Sequence, residues 1–185
     1  MISTYLLHSL LMILPLAIAG ILHMIFVKLD LLKFLKVPLS EKLFGKNKTY
    51  RGIILMSLFS IIGVYAASPL DNLLTLKLGF SNLNNFNQII LGTLLGLGYT
   101  LSELPNSFIK RRLGIAVGKK TSNSKYKIIQ IIFDQADSSI GCVLVYYFYM
   151  GIAIQQLLAF IFLGIFIHLF FNVTLYLAKI RKEPF

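Results

Sequence analysis

A run of 41 residues without a charged side chain, Ser138 to Ala178, limits what this chain can fold into. A helix that crosses a bilayer needs about 20 apolar residues, at a rise of about 1.5 Å per residue. The run is therefore long enough for two membrane spans, and Gly151 is a suitable turn residue between them. The C-terminal part of the chain thus predicts two consecutive membrane helices.

The rest of the chain has the same character. Hydrophobic residues make up 57% of the 185 positions and charged residues only 14%, whereas a soluble domain has about 25% charged residues. Further uncharged runs cover 2–27, 52–70 and 78–102. We therefore predict an all-α, polytopic membrane helix bundle, with residues 1–185 forming a single membrane domain. The five predicted spans are about 3–27, 52–69, 87–104, 129–150 and 153–178.

The basic residues predict how these spans are oriented. In the five-span arrangement, 17 of the 18 lysines and arginines fall on one side of the membrane, and only Lys77 falls on the other. Cytoplasmic loops of membrane proteins carry an excess of Lys and Arg. We therefore expect a multi-pass protein of the cell membrane with its N-terminus outside. The basic loops 28–51 and 105–127, the C-terminus and any active site would face the cytoplasm.

Two of the seven acidic residues, Asp134 and Asp137, fall in the predicted fourth span. They share one helix face, and an ionised carboxylate near lipid costs about 3 kcal/mol on insertion scales. A divalent cation would offset their repulsion, and Mg²⁺ favours one or two carboxylates completed by water and substrate phosphates. We predict that this pair binds Mg²⁺. The alternative is two exposed aspartates at a helix start near Phe133, stabilised by the helix dipole.

The segment SELPNSFIKRR, residues 102–112, supplies a second polar group. On a helix its carboxylate, amide, hydroxyl and ammonium groups fall in one stripe. The members of this stripe are Glu103, Asn106, Ser107 and Lys110. Pro105 either kinks the third span or begins a new helix, and Arg111 and Arg112 add positive charge at the membrane surface. The alternative is a cluster that ends the span, with Glu103 paired to Lys110.

The segment GKNKTYRG, residues 45–52, contains three cations, an amide and a hydroxyl between two glycines. It is not a phosphate-binding P-loop, because no Gly stands six residues before Lys46 and no strand precedes it. Its composition still suits an anionic partner, since Gly permits close backbone approach and the cations neutralise phosphate charge. The polar members of this loop are Lys46, Asn47, Lys48, Thr49 and Arg51.

Together the three segments suit a nucleoside triphosphate with Mg²⁺, because phosphoryl and nucleotidyl transfer need alignment and charge neutralisation above all. GKNKTYRG, SFIKRRLGI and FDQADS, in this order, resemble the CDP-archaeol synthase family, relatives of the CDP-diacylglycerol synthases. The resemblance covers most of the chain. It implies that CTP and a lipid phosphate give a CDP-lipid and pyrophosphate, with Mg²⁺ as cofactor. The lipid phosphate oxygen would attack the α-phosphorus of CTP directly.

The resemblance also implies roles for individual residues. Ser107, Lys110 and Arg111 match the S-x-x-K-R element of the family, and Asp134 and Asp137 match its D-Q-x-D element for metal and phosphate. The expected catalytic residues are Lys110, Arg111, Asp134 and Asp137, the two aspartates being the metal ligands. The basic loop of the family is matched by Lys46, Asn47, Lys48, Thr49 and Arg51, which are expected to bind substrate together with Ser107. From their place in the polar segment 102–112, Glu103, Asn106 and Arg112 are also expected to bind substrate.

Two other functions stay open from the sequence: an ion or solute transporter that uses the aspartate pair, and a non-catalytic membrane protein. A transporter is less favoured, because the chain shows no internal repeat. The expected partners are CTP, a membrane lipid phosphate and the lipid bilayer, with no nucleic acid. A homodimer is left open.

Overall fold

The computed structural model describes residues 2–117 and 124–179, and within them every regular element is a helix. The predicted all-α class is confirmed for this part of the chain. Lys119, Lys120, Arg181 and Lys182, counted above among the basic residues, lie outside it. The helices are α1 (Ile2–Lys28), α2 (Glu41–Phe44), α3 (Tyr50–Leu73), α4 (Asn85–Arg112), α5 (Ser124–Met150) and α6 (Ile154–Leu177), with short 3-10 turns at Lys33–Leu35 and Phe80–Asn82.

The five long helices alternate in direction, so that their ends gather in two groups. Contacts between α1 and α3, α3 and α4, α4 and α5, and α5 and α6 join early residues of one helix to late residues of the next. The His8–Gln156 contact joins the N-terminal part of α1 to the first turn of α6, and these two helices therefore run parallel. We call the end where α1, α4 and α6 finish and α3 and α5 begin the basic end.

Small residues bring the helix backbones close together, as the GxxxGxG pattern of Gly92, Gly96 and Gly98 predicts for a packing face. A Cβ atom at Gly92 or Gly96 would collide with the backbone of α3. A Cβ atom at Gly98 would approach the Gly141 backbone of α5 within 2.9 Å. The helix that carries Asn106 and the helix that carries the aspartates are thus held in direct backbone contact.

The core lies toward the end opposite the basic end. Tyr146 is fully buried there and donates a 2.6 Å hydrogen bond to the Met12 carbonyl, which ties α5 to α1. The buried Asp71 carboxylate accepts hydrogen bonds from the backbone amides of Leu78, Gly79 and Ser81, which fixes the connection from α3 to α4. The tightly packed far end leaves the basic end as the place for a cavity.

Three helices are long and apolar enough to cross a membrane, in the part of the chain that is described: Thr4–Lys28, Tyr50–Leu73 and Ile154–Leu177. They agree with the first, second and fifth predicted spans. Helices α4 and α5, with 28 and 27 residues, take the positions of the third and fourth. Helices α4 and α5 carry the polar motifs and are not among the three helices that are apolar enough to cross a membrane. The five-span count and the orientation therefore stay predictions.

The structure decides two alternatives about helix ends. Pro105 lies inside α4, which continues to Arg112, so the alternative in which Pro105 begins a new helix is wrong. The first residues of the predicted 105–127 loop, up to Arg112, are the end of this helix. Helix α5 begins at Ser124, about three turns before Asp134. The alternative of two aspartates at a helix start near Phe133 is therefore wrong.

Candidate active site

Asn106 on α4 joins the two aspartates of α5. Its side-chain nitrogen donates 2.7 Å hydrogen bonds to Asp134 Oδ1 and to Asp137 Oδ2. The polar stripe of α4 that contains Asn106 and the aspartate pair of α5 therefore meet at this contact. A side-chain amide has donors on one atom and acceptor lone pairs on the other. A rotation of the amide would therefore present Asn106 as a third oxygen donor beside the carboxylates.

The two carboxylates have different further partners. Lys110 Nζ lies 2.5 Å from Asp134 Oδ1, with both side chains mostly buried. Asp137 Oδ1 instead accepts a 2.7 Å hydrogen bond from the backbone amide of Ser138. Among the described residues no Lys or Arg forms an ion pair with Asp137. The cluster therefore contains one ammonium group for two carboxylates, and it favours additional positive charge.

Glu103, one turn before Asn106 on α4, forms an ion pair with Lys48. Lys48 belongs to the segment 28–51 between α1 and α3, which we call the basic loop. The alternative pairing of Glu103 with Lys110 is therefore wrong, since each lysine has its own carboxylate. The Lys48–Glu103 contact connects the basic loop to the helix that holds the aspartate cluster. All three sequence motifs consequently meet at the basic end.

The basic loop has a defined backbone. Leu39 N donates to the Lys48 carbonyl at 2.8 Å and Tyr50 N donates to the Val37 carbonyl at 3.0 Å, so residues 38 and 49 form an isolated antiparallel bridge. Gly45 has φ of +86°, a conformation that L side chains rarely adopt, and it packs beside Arg111. The bridge and this turn present the polar loop residues to the centre of the bundle.

A cavity of about 670 Å³ opens between the basic loop and helices α1, α3, α4, α5 and α6. Its charged part is lined by loop residues and by Glu103. Its apolar part is lined by side chains of α1 and α6 that include Leu16, Ile21, Phe160 and Phe171. Ser138 and Ser139 of α5 line the same cavity beside the aspartate cluster. One space thus joins a loop that carries cationic and polar side chains to an apolar wall.

The remaining predicted site residues have varied surroundings. Lys46 and Asn47 are exposed and line the cavity, whereas the Thr49 hydroxyl caps α3 by accepting a 3.3 Å hydrogen bond from Gly52 N. Ser107 is buried. Arg111 Nε is buried and has no hydrogen-bond partner among the described residues. Arg112 is exposed and lies 4.8 Å from the centroid of the Phe108 ring.

Arg51 has a structural partner that sequence reasoning missed. Its guanidinium donates to Asp30 Oδ1 at 3.1 Å and to the Leu31 carbonyl at 3.0 Å. The hydrogen bond from Arg51 is the main cause that lowers the pKa of Asp30 below its ordinary value, and Lys36 and Lys33 add to the effect. Asp30 was detectable as the single acid between Lys28 and Lys36. Its partner, 21 positions further on, was not.

His23 of α1, which lies within the first predicted span, also lines the cavity. A Cβ atom at Gly52 would lie 3.9 Å from its ring nitrogen Nε2. Sequence gives little signal for this residue, because a single histidine in an apolar run is most often a packed side chain. Its position depends on the packing of α1 against α3.

The donor set of the aspartate cluster fits Mg²⁺. Two carboxylates and one amide supply oxygen atoms, which are the ligands that this hard cation prefers. No group of three or more His, Cys, Asp and Glu side chains is gathered in the ranges that the structure describes. A site with only two protein carboxylates suits Mg²⁺ completed by substrate phosphates better than a closed structural metal site.

The fold and the site place this protein in a class of helical proteins. Its members have apolar helices long enough to cross a membrane, and a polar site of carboxylates, an amide and lysines at one end of the bundle. The chain belongs to the CDP-archaeol synthase family, since the family model described as "CarS-like: CDP-archaeol synthase" matches residues 2–185. The resemblance noted from the three motifs is thereby confirmed.

Curated relatives agree with this family. The chain is 30% identical over 152 residues to a CDP-archaeol synthase of Methanoregula boonei, covering 78% of this chain and 82% of the relative. It is 27% identical over 145 residues to a CDP-archaeol synthase of Sulfolobus acidocaldarius, covering 78% and 76%. It is 28% identical over 142 residues to the Methanocaldococcus jannaschii protein of that name, covering 76% and 75%. No solved structure matches the chain.

Proposed function

We propose that this protein is a membrane cytidylyltransferase, which makes a CDP-activated lipid and pyrophosphate from CTP and a lipid phosphate with Mg²⁺. The observation that carries the proposal is the meeting of three motifs on adjacent turns of α4. Glu103 pairs with Lys48, and Asn106 and Lys110 contact the aspartates. Its relatives are named CDP-archaeol synthases, which supports an ether-type lipid phosphate as the substrate.

The cavity suits two substrates of opposite polarity. Its charged part offers Lys46, Asn47 and Lys48 to a triphosphate. Its apolar part, between α1 and α6, offers a wall for hydrocarbon chains. A lipid phosphate that enters between these helices would bring its phosphate toward the end where CTP binds. The proposed acceptor is therefore a lipid that carries a terminal phosphate.

In the proposed reaction a lipid phosphate oxygen forms a bond to the α-phosphorus of CTP, and the bond from that phosphorus to the β-phosphate oxygen breaks. Pyrophosphate leaves with the electron pair. Lys110 and Arg111 neutralise the charge that grows on the leaving phosphates. The buried Arg111 Nε has no hydrogen-bond partner among the described residues, which supports its donation to a phosphate oxygen once substrate is bound. Neither lipid nor nucleotide requires a covalent bond to the protein.

Asp134 and Asp137, with Asn106, are the residues that would hold Mg²⁺. When bound, the ion supplies charge neutralisation and a fixed orientation for the phosphates. The aspartates themselves keep Asn106 and Lys110 in place through the hydrogen bonds already described. Glu103 keeps Lys48 at the edge of the cavity until the negatively charged substrate competes for it.

We further propose that α4 and α5 cross the membrane together with α1, α3 and α6, which makes five spans. Their polar side chains would be tolerated because they face one another inside the bundle. The concentration of Lys and Arg at the basic end supports a cytoplasmic position for that end. CTP is a cytoplasmic nucleotide, so this orientation agrees with the proposed substrate.

The test uses purified protein in vesicles with Mg²⁺, labelled CTP and a panel of lipid phosphates with ether or ester chains. A labelled CDP-lipid and pyrophosphate should form in equal amounts. Asp134→Asn should abolish nearly all turnover while the protein stays folded. Glu41→Gln is the matched control, because Glu41 is an exposed carboxylate on α2 at the same end.

Other outcomes would support the other functions. Wild-type turnover by Asp134→Asn would remove the aspartate from the chemistry. Ion flux through vesicles without CTP, together with no CDP-lipid product, would favour a transporter. Full tolerance of alanine at both aspartates would favour a non-catalytic protein.

A further inference from the structure

Residues 29–37, which we call the interfacial segment, follow directly on the last residue of α1 and expose an unusual amount of apolar surface. Phe34 is 73% exposed, Leu29 62% and Val37 53%. Leu31 and Leu32 are also exposed. These five side chains lie within nine positions, outside the long helices that supply the apolar surface of the bundle. Clustered surface of this kind marks an interaction site.

The exposure is part of a fixed conformation. The Asp30 carboxylate contacts Arg51 at 3.1 Å, Lys36 at 3.4 Å and Lys33 at 3.5 Å. The Arg51 guanidinium is almost fully buried and also binds the Leu31 carbonyl. Asp30 and Leu32 both have positive φ, of 48° and 53°, which non-glycine residues seldom adopt. We call the contacts of Asp30 with Arg51, Lys36 and Lys33 the clamp. The clamp fixes the backbone of the interfacial segment and therefore keeps its leucines and Phe34 on the surface.

Charge and position identify the partner. Lys28 ends α1, and Lys33 and Lys36 lie among the apolar side chains, with Lys33 75% exposed. Apolar side chains interspersed with lysines are the pattern of segments that lie in the headgroup layer of a membrane. The segment also continues a helix that is long and apolar enough to span a bilayer. It is therefore at the depth where that helix leaves the hydrocarbon.

We propose that the interfacial segment docks onto the lipid surface at the basic end, with its leucines and Phe34 below the headgroups and its lysines on anionic headgroup phosphates. A second copy of this chain fits less well, because two such faces would bring lysines against lysines. Asp30 and Lys36 also line the cavity. The docked segment thus forms the side of the cavity mouth that touches lipid headgroups.

The first experiment measures where residue 34 lies. The full chain with Phe34→Cys is labelled with an environment-sensitive fluorophore and reconstituted into vesicles of phosphatidylcholine with phosphatidylglycerol. Lys42→Cys on α2, exposed at the same end, is the matched control, and the unsubstituted chain reports labelling of the buried Cys142. Quenching by lipids spin-labelled near the headgroup should be about twofold or more stronger at position 34 than at position 42, because an interfacial segment buries its apolar face at that depth.

Two results would overturn the proposal. Equal access of aqueous iodide to both labelled positions would leave the segment in water. A blue-shifted label at position 34 that lipid quenchers do not reach would show a protein contact, such as a second copy of the chain. Omission of phosphatidylglycerol should reduce the lipid quenching at position 34, since the lysines then lose their anionic partners.

A second experiment rests on the proposed function. Phe34→Asp should raise the KM for the lipid phosphate about tenfold, because it repels the headgroup layer at the cavity mouth, and change the KM for CTP by less than about twofold. Phe34→Trp should keep wild-type values, since Trp suits the interface. Equal rises of both constants would overturn the placement at the lipid side. If the unsubstituted protein makes no CDP-lipid, the proposed function fails while the quenching experiment still decides the docking.

Discussion

The Lys48 ammonium of the basic loop is paired with the Glu103 carboxylate of α4, 55 positions further along the chain. Both side chains are about three-quarters buried, so each group depends on the other for its electrostatic compensation. In the proposed function, a phosphate that enters the cavity competes with Glu103 for Lys48. On that proposal the pair contributes both to the fold and to substrate binding, and substitutions can separate the two contributions.

Lys48→Ala should lower stability and weaken CTP binding. It leaves the Glu103 carboxylate without its partner, and a charge-assisted hydrogen bond contributes about 1.5–3 kcal/mol. We expect the midpoint of thermal unfolding to fall and the KM for CTP to rise about tenfold or more. Lys42→Ala, on the exposed face of α2, should change neither.

Adding Glu103→Gln to Lys48→Ala should restore the unfolding midpoint, because the unpaired charge is gone, but it should leave the KM for CTP high. Recovery of CTP binding in the double variant would mean that Lys48 acts only by neutralising Glu103.

Asp137→Asn should raise the Mg²⁺ concentration needed for half-maximal activity by about tenfold or more, because one of two carboxylate ligands is lost. Asp137 is the better choice for this test, since Asp134 is also paired with Lys110. Binding of Mn²⁺, followed by its paramagnetic resonance signal, gives a readout that does not need turnover. Unchanged Mn²⁺ binding by Asp137→Asn would exclude this carboxylate as a ligand, and Glu41→Gln controls for the loss of one negative charge.

Composition and charge runs were sufficient to predict a helical bundle and the approximate position of every long helix. The ends of α4 and α5 were harder to predict. A proline and three consecutive basic residues are typical of a helix that stops, yet α4 continues through Pro105 to Arg112. Its contact with α5 at Gly98 and Gly141 and the Asn106–aspartate bonds compensate for the missing backbone hydrogen bond. Such tertiary contacts have no local signal in the sequence.

The site, too, could be predicted from the sequence only in part. The spacing of Asp134 and Asp137 on one helix face was enough to predict that they act together, because an α-helix fixes that geometry. Which cation each acid would meet could not be predicted, since Lys48 and Lys110 are both plausible partners of Glu103 by charge alone. The clamp of Arg51 on Asp30 was equally hidden, because a loop of 20 residues separates them and its path depends on the bridge at Pro38 and Thr49.

Asp30→Asn should remove a pH-dependent part of stability. The folded state holds the pKa of Asp30 below its ordinary value of 3.8, mainly through Arg51. The ionised carboxylate therefore stabilises the fold above the unfolded pKa, and this contribution is lost as the pH falls through the lower, folded value. The unfolding midpoints of wild type and Asp30→Asn should differ by a constant amount at neutral pH and converge below about pH 4. A difference that grows on acidification would contradict this assignment.

Gly141→Ala should disrupt the contact between α4 and α5. A Cβ atom at this position would overlap the Gly98 carbonyl, and neither backbone can move without separating the two helices. Overpacking of this kind costs about 1–3 kcal/mol or more, and it would also shift Asn106 away from the aspartates. We expect a lower unfolding midpoint together with a fall in turnover.

Gly20→Ala is the matched control, because nothing lies within 4 Å of a Cβ atom there. Alanine is the better helix former by about 0.5–1 kcal/mol, so Gly20→Ala should be neutral or stabilising. Equal effects of the two substitutions would show that the close approach of Gly98 and Gly141 does not hold the site together.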